Sequence, residues 1–310
     1  MLAAGPALAR DVPKTLPYPA KGADLTAQDV AEQVYFVNHF YAFKNFGIAR
    51  PSKTKITVIV NRVKNRKPKT LTVERYINNN YPEGDKIKSR DIAFFRSGKL
   101  KGTGLLITDY AEVGKSQSYM IWLPALRKIR RFAEPAHDDA WGGTTFTFGD
   151  VTLRKPDHET HELDGKAKFD GCLGYIDMPS SQRNRYTKNL ATSPTCRHDG
   201  KTVYKLKSTT KRENWWYDYR VSFVDTKTFA DYRTDYYKGG KKIKTIDRDW
   251  GVLEGQAIDD PRGMTWRSWY GKDDVSGTET WAVIPDETVV INEDKDNKFW
   301  SPKTLTKLKR

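Results

Sequence analysis

Apolar and polar positions alternate over most of the chain, and one long segment near the start follows a different period. That segment opens at Thr26, which can cap a helix with Asp29 three residues on. Val30, Val34, Phe36, Val37, Phe40 and Tyr41 then recur at helical spacing until Gly47. The spacing predicts a helix with a broad aromatic face, which has to lie across a sheet or over the mouth of a cavity. From Lys55 the period is two. Ile56, Val58 and Val60 predict one strand, and Leu71, Val73, Arg75 and Ile77 a second after the basic turn Asn65-Arg66-Lys67-Pro68. Residues 91–96 and 105–109 predict a third and fourth. Segments 202–208, 217–224, 229–237, 242–250, 264–270 and 279–284 continue the pattern, with Gly239-Gly240 as a hairpin turn. Residues 297–308, carrying Phe299, Trp300, Leu305 and Leu308, predict a short docking helix. An antiparallel sheet of about ten or more strands rarely stays flat and should curl into a barrel or half-barrel that the helix closes.

The stretch 118–151 departs from simple alternation. Tyr119, Ile121 and Leu123 share one strand face and Met120 and Trp122 the other, so both faces are apolar until Pro124 interrupts. Arg127, Lys128, Arg130 and Arg131 follow, then Asp138 and Asp139, a Gly142-Gly143 turn and the aromatic alternation of Phe146 and Phe148. Pairing with Asp138, Asp139 or Asp150 and contact with an anionic headgroup or partner are both open to these cations.

Composition sharpens this picture in two ways. Hydrophobic residues make up only 37% of the chain but aromatics 12%, which favours sheets, and the net charge of +15 gives a positive field. The basic residues are spread along the chain, where strand-face lysines solvate and protect sheet edges, so no nucleic-acid partner is expected. Residues 1–9 end in Ala7-Leu8-Ala9 and are expected to be the remnant of an export signal. Residues 10–22, with Pro13, Pro17 and Pro19, read as an extended arm, and residues 23–310 show no composition break that would divide them. Export implies an oxidising compartment, in which Cys172 and Cys196 are expected to form one disulfide.

Candidate chemistry changes little. His158 and His161 lie among Asp157, Glu159 and Glu162, but the zinc-protease spacing is absent and residues 152–163 read as a solvated polar loop. Asp259-Asp260 and Asp273-Asp274 sit in turn contexts, and neither a G-x-S-x-G elbow nor a P-loop occurs. The expectation is a non-enzymatic protein with no catalytic residues, no metal and no cofactor.

Several blocks resemble the LolA/LolB-like outer-membrane lipoprotein-sorting proteins, in particular the larger LolA-like branch. They are Ser89-Arg90-Asp91 with Phe94-Phe95, residues 102–107, 122–131 and 143–151, and Phe223-Val224-Asp225 with residues 236–244. Trp141-Gly142-Gly143 and the acidic His137-Asp138-Asp139 depart from the pattern. The resemblance spans residues 25–305. It implies a mainly β (α+β) fold, a curled antiparallel sheet forming an open half-barrel with a helical lid around an apolar cavity. It further implies a carrier in the periplasm of a Gram-negative bacterium, holding lipid or lipoprotein cargo. The partners would be an inner-membrane transporter, such as an RND/MMPL-type exporter, and an outer-membrane acceptor. Cavity residues would then be Val34, Val37, Tyr41, Phe94, Leu106, Tyr119, Ile121, Leu123, Phe146 and Phe148. Arg127, Lys128, Arg130 and Arg131 would form a rim. The alternative is a structural periplasmic adaptor with a filled core and no cargo.

Overall fold

The computed structural model describes residues 11–256 and 258–307, so Leu308 and the expected signal remnant at residues 1–9 lie outside the described residues. Helix α1 (Ala27–Asn38) begins as its capping box requires. The Thr26 hydroxyl accepts from the Asp29 amide and the Asp29 carboxylate accepts from the Thr26 amide. It stops at Asn38 and does not run on to Gly47. Phe40 takes a left-handed φ of 56°, which no α-helix continues through, and the next apolar run, Asn45–Ile48, pairs as strand β1.

Fourteen further strands follow: β2 (Thr57–Val63), β3 (Lys69–Asn78), β4 (Ile87–Phe95), β5 (Gly104–Tyr110), β6 (Ser118–Leu123), β7 (Lys128–Phe132), β8 (Glu159–Lys168), β9 (Thr202–Thr210), β10 (Tyr219–Asp225), β11 (Asp231–Lys238), β12 (Lys241–Gly251), β13 (Thr265–Asp273), β14 (Thr278–Val283) and β15 (Val289–Ile291). All fifteen belong to one antiparallel sheet. Its order runs β7-β6-β5-β4-β3-β2-β14-β13-β12-β11-β10-β9-β8, with β1 joining β3 to β15. The sheet is not closed, and β7 and β8 end its main strand order. These two strands are nevertheless consecutive in sequence, so residues 133–158 must pass from one edge to the other. That crossover positions the site.

Besides β1 and the short β15, two strands differ from the sequence reading. The basic segment after Pro124 is an edge strand, β7, and residues 152–163, expected to be a polar loop, take in the end of a five-residue π-turn (Gly149–Leu153) and the first half of β8. Both segments lack a continuous apolar face because edge strands carry charge where a neighbouring strand would otherwise pair.

The sheet has two covered faces. Ala93 and Phe95 of β4 share one contiguous core with Val203 and Leu206 of β9, from the other half of the sheet, which makes that face concave. On the convex face Ile176 and Met178, from the loop closed by the Cys172–Cys196 disulfide, pack on Val58, Val60 and Trp281. Beside them Trp300 and Leu305, the latter on helix α2 (Pro302–Thr306), cover Ile92, Phe94 and Leu106. The arm is pinned down as well. Val12 is buried, and the Lys14 ammonium donates to the carbonyls of Asn79, Tyr81 and Lys88.

Candidate functional site: the concave face and its crossover

The concave face is aromatic. Phe40 stacks on Phe46 at 3.7 Å between ring centroids and meets Trp266 edge-on at 4.5 Å, while Trp266 meets Trp269 at 4.8 Å and Trp250 at 5.9 Å. The left-handed turn at Phe40 thus places its ring against β1 and β13 after the helix ends. α1 covers part of the face with Val30, Ala31 and Val37.

Residues 141–153 of the crossover cover the rest. Gly142 and Gly143, both at positive φ, fold the chain back so that the Trp141 amide donates to Phe146 and the Thr144 hydroxyl to the Trp141 carbonyl. Phe146 then lies 5.3 Å from Trp269, and the Thr145 amide donates to the Thr280 hydroxyl at 2.9 Å. Gly271 of β13 permits this approach, because a Cβ there would stand 2.4 Å from the Thr145 hydroxyl and 2.7 Å from the Phe146 ring.

A polar latch fastens the far end. The Asp150 side chain, fully buried, accepts from Lys244 at 2.7 Å, Tyr236 at 2.6 Å and Arg154 at 2.9 Å, and from the Thr147 amide at 3.0 Å. Burial alone would raise its carboxyl, but Lys244 and Arg154 hold it well below the usual carboxylate range. A second buried pair adjoins it. Glu159 receives Arg220 at 2.6 Å and the Tyr217 hydroxyl at 2.9 Å; burial opposes ionisation, but the guanidinium brings the group down to about 2.

Residues 141–152 leave little empty volume beneath them. Val151 borders three separate voids of about 70, 50 and 30 Å³. The void of about 50 Å³ is almost wholly apolar, and three polar atoms in the residues around it have no hydrogen-bond partner: the Trp266 and Trp269 indole N–H and the Thr57 hydroxyl. Such orphans are uncommon, because each forgoes a bond that water would have supplied.

His39 closes the helix beside two of these voids, stacked on Tyr35 at 3.7 Å with Nδ1 2.9 Å from the Tyr35 carbonyl. Burial pushes its imidazole down to about 4, from an ordinary 6.5, with Lys88 adding to the effect and Asp11 opposing it. A group with a depressed folded pKa contributes stability above its unfolded value and loses it as pH falls towards the folded one. Acidification from about pH 6.5 to about 4 is therefore expected to weaken the fold by about 2 kcal/mol through this residue. Urea midpoints of wild type and His39→Gln across that range measure the difference. An unchanged slope in the variant would contradict it.

The sequence-predicted residues divide by face. Val34, Val37, Phe146 and Phe148 belong to or pack against the concave core, and Tyr41 borders the void of about 30 Å³. Tyr119 packs with Ile107 and Leu153, 6.0 Å from Phe148, and strand alternation brings Ile121 and Leu123 to the same face, half-buried. Phe94 and Leu106 do not reach the cavity. They face the convex side under Trp300 and Leu305, because the inward phase of β4 and β5 falls on Ala93, Phe95 and Ile107. Phe146 and Phe148 lie in a turn instead of a strand.

Alternation also splits the cations. Lys128 and Arg130 stand opposite Leu123 and Ile121 on the concave side, Arg131 stands opposite Met120 on the convex side, and Arg127 sits in the turn. Among the described residues none of the four forms an ion pair. Asp150 is taken by Lys244 and Arg154 instead. His161 is likewise committed, with its ring nitrogens 2.9 Å from the Ser208 hydroxyl and 2.8 Å from the Pro156 carbonyl.

The sequence reading passed over Phe46, Trp141, Trp250, Trp266, Trp269 and the Asp150 latch. Only the wealth of aromatic residues signalled the first five. At the latch, Lys244 and Tyr236 lie far along the chain from Asp150, and Arg154, four residues on, was the only local sign.

Three solved structures share this architecture at low sequence identity. A DUF1329 family protein from Desulfovibrio piger superposes with a TM-score of 0.63 at 14% identity, covering 90% of this chain and 99% of its own. A domain assigned to outer membrane lipoprotein sorting, from Vibrio parahaemolyticus, gives 0.62 at 13% identity over 90% and 98%. A LolA superfamily protein from Nitrosomonas europaea gives 0.50 at 12% over 91% and 100%. The fold is LolA-like. A family described as "Uncharacterized protein" matches residues 88–175, a stretch that spans β4 to β8 and includes the whole crossover, and no curated protein matches the sequence. The LolA-like sheet here has its concave face occupied by the chain's own crossover. Among the described residues no helix is long and apolar enough to cross a membrane.

Proposed function

We propose that this protein is a non-enzymatic carrier of lipid or lipoprotein acyl chains in the periplasm of a Gram-negative bacterium. It loads at an inner-membrane machine, of which an RND/MMPL-type exporter is an example, and unloads towards an outer-membrane acceptor. The observation that carries this reading is the aromatic concave face, roofed by a segment held at a few polar points instead of by a strand ladder.

An acyl chain in water costs about 0.8 kcal/mol per methylene, so a carrier has to offer a continuous apolar surface. Phe40, Phe46, Trp250, Trp266 and Trp269 offer one once residues 141–153 withdraw. The voids around Val151 then become one volume, and the orphaned indole N–H groups meet the ester carbonyls of the cargo. Val34, Val37, Tyr41, Tyr119, Ile121 and Leu123 extend the wall, Phe146 and Phe148 line the withdrawn roof, and Lys128 and Arg130 stand at the β7 rim.

The size of the voids favours a second reading. Small-molecule ligands fill pockets of roughly 300–1,000 Å³, and none of the three voids approaches that. An adaptor with a permanently filled core would look the same at rest. Native mass spectrometry and lipid extraction of protein isolated from its own periplasm separate the two. The carrier is expected to retain an acyl lipid. Consistently empty protein, with residues 141–153 equally protected from hydrogen exchange before and after exposure to lipid, would defeat the carrier reading.

A further inference from the structure

We infer that the convex face holds a second, independent site, for a compact anion bearing several phosphate or carboxylate groups on a ring or short scaffold. A groove of about 810 Å³ opens there between α2 and the disulfide-closed loop. Its lining brings together Arg50, Lys53, Arg96, Lys101, Arg127 and Arg185, with no carboxylate among the lining residues. These cations arrive from four separate segments: the β1–β2 connection, the β4–β5 turn, the β6–β7 turn and the disulfide loop.

What distinguishes them is that five cations without an acid partner among the described residues line one concavity. Lys205, Lys207 and Arg267 are paired with Asp164, Glu162 and Asp286. In the groove only Arg96 has an acid, Glu74; among the described residues Arg50, Lys53, Lys101, Arg127 and Arg185 form no ion pair. Like charges gathered in one concavity repel, and a shared multivalent anion relieves that repulsion. Guanidinium forks match phosphate and carboxylate oxygens two at a time, which suits Arg127 and Arg185.

Two further features suit the groove to such an anion. Trp122 and Tyr186 also border the groove, and Arg185 lies 4.6 Å over the Tyr186 ring while donating to its hydroxyl at 2.6 Å. Arg127 is held at a φ of 48°, a turn conformation usually left to glycine, so the turn presents a guanidinium where the least strained residue would present nothing. The volume fits a headgroup. Because the groove lies on the face opposite the aromatic cavity, the site does not depend on the acyl-carrier reading.

The test uses the full chain and two probes, inositol hexakisphosphate in solution and phosphatidylcholine vesicles with or without phosphatidylglycerol. Calorimetry at physiological ionic strength is expected to detect the polyphosphate, with affinity falling as salt rises. Lys101→Glu/Arg127→Glu/Arg185→Glu should weaken it at least tenfold. The charge-matched Lys21→Glu/Lys227→Glu/Lys241→Glu, at exposed positions elsewhere, should change it about twofold or less. Equal loss in both variants, or no loss in either, would overturn the site, since a diffuse positive field would then explain the binding. Single Lys101→Glu, with melting curves for every variant, guards against misfolding. Retention on phosphatidylglycerol vesicles that the polyphosphate displaces identifies a lipid headgroup as the source, and polyphosphate binding without vesicle retention identifies a soluble anion. A short oligothymidylate binding more tightly than the polyphosphate would overturn the assignment of a compact anion.

Discussion

Asp150→Ala is expected to lower stability by about 3–5 kcal/mol, the loss that follows when one partner of a buried ion pair is removed and the other is left behind. Lys244 and Arg154 would remain almost wholly enclosed with their charges unneutralised, and the Tyr236 hydroxyl and Thr147 amide would lose an acceptor. The effect should be local in origin. Hydrogen exchange is expected to speed up first across residues 141–153, where few other bonds reach the sheet, and later in β12 and β13. Adding Lys244→Met to Asp150→Ala should restore part of the loss, because deleting a second buried charge removes much of the penalty the first deletion created. Urea midpoints give the cycle. A loss below about 1 kcal/mol in the single variant would mean that the crossover is held by packing and not by its latch.

Gly271→Val should separate gate from filler. The position is ordinary strand backbone, so β13 itself tolerates a side chain, and valine is a good strand residue. Its Cβ would instead collide with Thr145 and Phe146 of the crossover. Overpacking of this kind costs roughly 1–3 kcal/mol, borne mainly by the closed arrangement. If residues 141–153 roof a cargo site, each 1.4 kcal/mol taken from the closed state raises apparent affinity for an acyl chain about tenfold. Displacement of a fluorescent fatty-acyl probe reads this directly. Destabilisation without any gain in probe binding would identify the segment as permanent core and favour the adaptor reading.

Much of the local structure was legible in the chain. Thr26 and Asp29 announced the start of α1, and Gly239-Gly240 the hairpin of β11 and β12. Alternation located eleven of the strands, and the two cysteines meet in one disulfide. The end of α1 was not legible, since Phe40 and Tyr41 keep helical spacing while the backbone has already turned. Nor were the polar edges, where β7 and β8 carry charge on positions that an interior strand would give to apolar side chains.

The aromatic site was hidden for a sharper reason. Trp266 and Trp269 are three residues apart, and strict alternation sends them to opposite faces. A register shift opposite Asp249 and Trp250 skips Arg267, restores the phase, and brings both rings to the concave side. The assignment of Phe94 and Leu106 to the cavity failed in the complementary way. Both faces of β4 and β5 are apolar, so period alone could not say which face the carboxy-terminal segment would cover.

The sequence by itself thus determined the elements, their antiparallel character and the aromatic wealth of the chain, because caps, turns and alternation act between near neighbours. Tertiary structure alone decided that β2 meets β14, which leaves consecutive strands β7 and β8 at opposite edges of the sheet. From that pairing follow the crossover, the burial of Asp150 against Lys244 and the roof over the aromatic face. Each depends on contacts between residues far apart in the chain, on which local periodicity has no hold.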